Sequence, residues 1–203
     1  MTAVAGLTGP APPAGLIGPN ALLQLGPVLV AEGGAALCDE IFALGGAEMP
    51  PDDRMMPEGP AARVHQALRR RLPLEAPRIA RAAGEGVGRY ILAHRIPRAA
   101  QVVLKALPPP LAARVLSKAI ARHAWTFAGS GDFAVSGPWA FEIGDNPIVR
   151  GEVSAAPLCH WHAAVFETLY RALVARDAVC RETACCAQGA AACRFEIGRG
   201  LPG

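Results

Sequence analysis

Residues 158–197 read LCHWHAAVFETLYRALVARDAVCRETACCAQGAAACRFEI. The stretch holds five of the six cysteines, two of the five histidines and four carboxylates, Glu167, Asp177, Glu182 and Glu196. Its first part has helical spacing. Pro157 opens the run, Cys159 sits one turn in, and Trp161, Val165, Leu169 and Leu173 mark one core face. Residues 179–183 and 194–197 read as strands on either side of a small Ala/Gly turn. Cys159, Glu182, Cys185 and Cys193 are taken as one tetrahedral metal site that clamps the helix to the hairpin. Three soft thiolates and one carboxylate make a closed set that suits a structural Zn2+ rather than a catalytic one, because no position is left for a reactive water. His162, one helical turn after Cys159, Cys180 on the strand face of Glu182, and Cys186 beside Cys185 are competing ligands that spacing alone leaves open.

The spacing Cys, then about twenty residues, then E-x2-C-x7-C-x-F resembles the C-terminal half of the V4R (4-vinyl reductase) domain. Glu182, Cys185, Gly189, Cys193 and Phe195 match that motif position by position, and Cys159 matches the upstream ligand. The motif spans roughly the last forty residues. A looser likeness to the BchJ-type proteins of bacteriochlorophyll biosynthesis, lone V4R domains with an Ala/Pro-rich helical front half, covers most of the chain. The resemblance implies zinc binding by these four residues and an α+β fold.

Composition bounds the remaining possibilities. A chain of 203 residues can bury a sizeable core as one domain. It is 52% hydrophobic with a net charge of +3, too mild to imply a nucleic-acid partner. No charged leader followed by an apolar run and a cleavage site is present, so clustered cysteines point to a cytoplasmic metal or redox use rather than to disulfides. Residues 14–31 are largely apolar, but Pro19, Asn20, Gln24, Gly26 and Pro27 interrupt them and argue against a transmembrane segment. The expected location is the cytoplasm, with contact at the membrane periphery left open.

Along the chain, residues 1–17 are expected to be a flexible Gly/Pro/Ala tail, and 18–198 a single V4R-like domain. Helices are predicted over 21–29, 32–44, 61–72 and 74–94, then from Pro97 to Leu107 and over 111–127. Strands are predicted over 132–136 and 139–143, with another over 148–153. The order gives an α+β fold, a helical N-terminal half packed on an antiparallel sheet with the zinc site near the C-terminus. Cys38 reads as a small core residue.

Gly84, Gly86 and Gly88 are unexpected inside a helix and ask either for close helix packing or for room beside a flat ligand. They are not a dinucleotide fingerprint, because no strand precedes them. Met55 and Met56 fall in a Gly/Pro-punctuated loop, where Met could line a mobile lid. Arg69 and Arg70, in a short basic run, could pair with the carboxylates of a tetrapyrrole. His123, on the apolar stripe of Leu111, Val115, Leu116 and Ile120, is the candidate axial ligand to a porphyrin metal, with His94 second and His65 third.

The family name points to reduction of a tetrapyrrole vinyl group, which needs a hydride or electron carrier. No strand–GxGxxG–helix unit and no second cysteine cluster for an iron–sulfur centre is found in the sequence. An apolar container with scattered Arg and His suits a large flat ligand instead. The reading is a non-catalytic tetrapyrrole-binding protein of bacteriochlorophyll biosynthesis. It would hold a protoporphyrin IX or Mg-protoporphyrin type intermediate and deliver it to magnesium chelatase or to the methyltransferase that follows. The alternatives are a divinyl (proto)chlorophyllide 4-vinyl reductase and a small-molecule sensor module. Related domains pair, so a homodimer through the helical half is a further expectation.

Overall fold

The computed structural model describes residues 15–200. Most of the expected tail therefore lies outside the described residues. Its last two members do not behave as a tail: β1 (Leu16–Ile17) pairs with β2 (Met56–Pro57), and Ile17 is buried.

Helices α1 (Asn20–Leu23) and α2 (Leu25–Gly45) follow, then α3 (Glu58–Arg71), α4 (Ala76–His94), α5 (Arg98–Ala106), α6 (Pro109–Arg122) and α7 (Trp125–Ala128). Pro19, Pro57, Pro97 and Pro108 all sit at N-caps, where the missing N–H costs nothing and the chain is set for the first turn. Within α2 the two predicted helices run together across a kink at Gly33 and Gly34, and Gly34 has φ 78°, a conformation that suits only glycine. The run Asn20–Gly45 is long and apolar enough to cross a membrane by length and composition. Its Leu22, Leu25, Leu29 and Ile41 are nevertheless spent on the core of the fold.

The C-terminal half is a four-stranded antiparallel sheet in the order β3 (Asp132–Gly137), β4 (Ala140–Gly144), β6 (Ala192–Arg199), β5 (Ala178–Ala184). Helix α8 (His160–Leu173) connects β4 to β5 and lies between the sheet and α4. Period-two alternation turns Phe141 and Ile143 of β4 and Cys193, Phe195 and Ile197 of β6 inward, with Phe141 opposite Phe195 and Ile143 opposite Cys193. Phe166 of α8 meets this face, with ring centroids 4.7 Å from Phe141 and 5.3 Å from Phe195. A continuous buried cluster runs from Ile17 to Ile197, so helices and sheet share one core.

Several expectations are corrected. Residues 148–153 form no strand. The chain turns there, Ile148 and Val149 pack into the core, and the Ile148 carbonyl is taken by Arg69 at 2.7 Å. Helix α8 is buried on nearly every side rather than on one face, with Arg171 its one exposed residue, because α4 covers the side away from the sheet. The predicted helix 111–127 breaks at His123 and Ala124, and α7 resumes beyond the break. The buried side of α6 is Ala112, Ala113, Leu116, Ser117 and Ile120, while Leu111, Val115 and His123 face solvent, so His123 is not on a buried apolar stripe.

Gly84, Gly86 and Gly88 serve helix packing. A Cβ on Gly84 would lie 2.3 Å from the Trp161 carbonyl oxygen, and one on Gly88 would lie 2.6 Å from Thr168. Gly84 and Gly88 let α4 and α8 approach closely, and Gly86 makes room for Gln24, leaving no gap there for a flat ligand.

Candidate metal centre

The site forms where the start of α8, the end of β5 and the start of β6 converge. Cys159 is the N-cap of α8, with φ −86° and ψ 43°, rather than a residue one turn into the helix. Its carbonyl accepts the Ala163 N–H at 3.1 Å, and its own N–H is left free to point away from the helix. That N–H donates to Glu182 Oε2 at 2.6 Å. Glu182 occupies the inner face of β5, two residues after the buried Cys180. Cys185 follows the strand and caps a single 3-10 turn, Cys186–Gln188, which Gly189 closes at φ 86°. Cys193 enters β6 with its side chain inward beside Ile143.

One ligand atom from each of Cys159, Glu182, Cys185 and Cys193 lies within 4.8 Å of every other. Cys159 Sγ is 3.4 Å from Cys193 Sγ, and Cys193 Sγ is 3.8 Å from Cys185 Sγ. Tetrahedral coordination with metal–sulfur bonds of about 2.3 Å would hold sulfurs roughly 3.8 Å apart. The three cysteines are buried. Glu182 Oε1 is also buried and has no hydrogen-bond partner. A buried carboxylate oxygen left unpaired is costly, and a cation between it and the sulfurs would remove that cost. The residues therefore fit a divalent ion held by Cys159, Cys185, Cys193 and Glu182.

The protonation pattern agrees with that fit. Burial pushes the Glu182 carboxyl up to about 7, against the pull of the Cys159 N–H, and the nearby Cys185 adds to the rise. Burial also pushes the Cys159 thiol well up. Cys185 accepts from the thiols of Cys159 and Cys193 and is driven far down, towards thiolate. Cys193 accepts from Cys159, which alone would lower it, but its bond to Cys185 and its burial outweigh this and push it up. Without an ion, the cluster supports one sulfur anion. A dication would convert all three to thiolates and draw the proton from Glu182.

Sequence reasoning missed the groups that hold the ligands. Asn146, fully buried, donates from Nδ2 to Cys159 Sγ at 3.3 Å and accepts the Ile148 N–H at 3.1 Å. The Cys186 N–H points at Cys193 Sγ at 3.4 Å. Asn146 follows Asp145, the only non-glycine with positive φ (44°) among the described residues. Asp-Asn-Pro is a turn-forming sequence, but nothing in it announces a contact with a sulfur 13 residues on.

The structure sorts the competing ligands. His162 Nε2 is 3.2 Å from the Phe127 carbonyl, and the ring sits among Trp161, Phe127 and Phe195. Cys180 is a buried thiol pushed up to about 12, first by burial and then by Glu167. Cys186 Sγ turns towards the carbonyls of Ile143 and Ala191 at 3.8 and 4.0 Å.

The six residues expected to line a tetrapyrrole pocket are not gathered in one cavity. Met56 is buried in β2 opposite Ile17, so it is part of the core rather than a lid, and Met55 is half-buried beside it. Arg69 is committed to Glu152 and to the Ile148 carbonyl. Arg70 is exposed and has no ion pair among the described residues. His94 ends α4, exposed, with its ring 4.8 Å from that of Tyr90. His123 caps α6, exposed, with Nδ1 2.9 Å from the Ala119 carbonyl. Two open hollows do occur. One of about 720 Å³ is lined by Cys38, Asp39, Phe42 and Met49 among others, and one of about 370 Å³ by Arg89, Leu92, Ala93, Arg98 and Gln101.

Comparison with known proteins adds to this geometry. The family described as "V4R domain" matches residues 139–199, which contain all four candidate ligands and Asn146. The "Bacteriochlorophyll synthase 23 kDa chain" of Cereibacter sphaeroides is 55% identical over 194 residues, covering 94% of each chain. The protein of the same name from Rhodobacter capsulatus is 43% identical over 184 residues, covering 89% of this chain and 86% of that one. Among solved structures, an H-NOX protein from S. oneidensis in the Fe(II)NO ligation state superposes with a TM-score of 0.54 at 13% identity, covering 91% of this chain and 100% of that one. An Fe(II) unliganded H-NOX protein from K. algicida gives 0.56 at 9% identity, covering 92% and 98%. At such identities the likeness is one of fold.

Proposed function

The chain belongs to the V4R-domain family of BchJ-type bacteriochlorophyll synthase 23 kDa chains and serves bacteriochlorophyll biosynthesis, and from that premise we propose that it is a non-catalytic tetrapyrrole carrier built around a structural Zn2+. The observation that carries the proposal is the closed, buried donor set of Cys159, Glu182, Cys185 and Cys193. An ion held by three sulfurs and a carboxylate, all within one small hairpin-and-helix knot, has no coordination position left for substrate or water. Its work is to fix the sheet against α8, and the remaining surface is what meets the pigment.

In this reading the cargo is a protoporphyrin IX or Mg-protoporphyrin type intermediate. Exposed His123 and His94 offer imidazoles to a central metal, and Arg70 offers a guanidinium to a ring carboxylate. The relatives are named as chains of a synthase, which supports assembly with a biosynthetic enzyme. Magnesium chelatase or the methyltransferase after it is the proposed recipient. The protein would work in the cytoplasm, as a monomer or as a homodimer through its helical half.

Titration of the metal-loaded protein with protoporphyrin IX and with its magnesium form tests this. A saturable change in absorbance or fluorescence is expected, weakened by His123→Ala or Arg70→Ala. No change with either pigment overturns the carrier reading. Conversion of a divinyl substrate to its monovinyl product with a reduced nicotinamide would replace it with a reductase.

A further inference from the structure

Helices α5 and α6 are joined by only Leu107 and Pro108 and meet next to that junction. Each buries one side in the fold, through Leu104 on α5 and through Ala112, Ala113, Leu116 and Ile120 on α6. Each also exposes an apolar stripe. On α5, Ala99, Val102, Val103 and Ala106 recur at helical spacing, with Val102 67% and Val103 58% exposed. On α6, Leu111 and Val115 are 45% and 51% exposed, with Ala119 one turn on. Apolar side chains this exposed stand out from the surface rather than line a groove.

Along this segment the charge is of one sign. From residue 86 to residue 131 the chain carries no Asp or Glu. Arg95, Arg98, Lys105, Arg114, Lys118 and Arg122 are all exposed, and none forms an ion pair among the described residues. Elsewhere most cations find carboxylates, such as Arg71 with Glu40, Arg78 with Glu32, Arg81 with Glu167 and Arg194 with Glu142, although among the described residues Arg63, Arg70, Arg176 and Arg181 do not. With a net charge of only +3 over the whole chain, a segment with six cations free of ion pairs, of which only Arg95 has a partner in the Tyr90 ring, is a strong local asymmetry.

We infer that the α5–α6 segment is a docking surface for an anionic lipid bilayer. Valine and leucine would enter the boundary between headgroups and acyl chains, and the lysines and arginines around them would meet lipid phosphates. A second copy of this chain is a poor occupant, because it would bring an equally cationic face against the first. Nucleic acid does not call for projecting valines, and the stripes carry no aromatic side chain on which a base could stack. The inference is independent of tetrapyrrole binding, which is read in solution without lipid.

The test is sedimentation of the full, metal-loaded chain with vesicles of phosphatidylglycerol and phosphatidylcholine, beside vesicles of phosphatidylcholine alone. Binding is expected only to the anionic vesicles and should weaken as salt rises. V102S/V103S and L111S/V115S should each lower the partition about tenfold, as buried methyl groups are lost. K105E, R114E and K118E should each lower it at least about fivefold. All these residues are exposed, so circular dichroism and the thermal midpoint should match the parent. Absence of binding to anionic vesicles overturns the inference, as does equal binding to neutral ones or variants that bind like the parent. Light scattering that shows the variants altering self-association, with vesicle binding unchanged, would assign the face to a protein interface instead.

Discussion

Asn146 is one of the side chains that positions the site without being a ligand. Its amide holds Cys159 Sγ from one side, while Glu182 holds the Cys159 N–H from the other. Asn146→Ala should lower metal affinity about 10- to 100-fold with the four ligands intact, measured by chelator competition. Because Cys159 and Cys193 are pushed up and Glu182 sits near 7, a divalent ion entering at pH 7 should release about two to three protons. Calorimetry in buffers of different ionisation enthalpy reads that number, and affinity should fall steeply as pH falls. His65 sets a separate pH dependence. Burial, helped by Arg69, lowers it to about 3, and its Nε2 meets the Ala21 carbonyl at 3.1 Å. The unfolded chain takes up the proton near pH 6.5 and the folded one does not. Stability from this group is therefore full above pH 6.5 and is lost towards pH 3, by about 1.4 kcal/mol per pH unit in between. In urea titrations, His65→Gln should flatten that slope by one proton.

Among the elements, α4 and α8 form the seam on which the fold depends. Glycines on α4 place its backbone against Trp161, Ala164 and Thr168 of α8, and Arg81 of α4 reaches Glu167 of α8 at 2.9 Å. Glu167 in turn accepts the Cys180 N–H of β5 at 2.9 Å, so α4, α8 and the sheet edge are tied through one carboxylate. Gly84→Ala would drive a methyl into a main-chain oxygen, which cannot rotate away. It should cost about 1–3 kcal/mol or more in chemical denaturation, as overpacked cores do. Gly86→Ala, which meets only the Gln24 side chain, should cost less. The sequence announced the oddity of three glycines in a helix. It did not say which helix they faced, since periodicity reports a face and not its partner.

At the scale of the whole molecule, the metal knot lies at one corner of a sheet whose inner face is otherwise aromatic and closed. Removing the ion should loosen that corner without dissolving the core. With free metal a thousandfold above its dissociation constant, binding stabilises by about 4 kcal/mol. Chelation should then lower the thermal midpoint by about 10 °C for a chain of this size, with helical circular dichroism retained below the transition.

Local and nearly local features can be read from the order of residues alone. Helix and strand periods gave the α+β order, prolines gave the helix starts, and the Glu-Cys-Cys spacing over 182–193 gave three of the ligands, because those residues share one hairpin. The fourth, Cys159, was read into the same set from the start of its helical run, and the family likeness matched it as the upstream ligand. Which surfaces are covered depends on how distant segments come together. Packing against α4 buried α8 on nearly every side, the turn after β4 brought Asn146 to Cys159, and solvent rather than core received His123, Leu111 and Val115. An apolar stripe in a sequence fixes that a face avoids water. Whether protein, lipid or nothing covers it depends on where the rest of the chain goes.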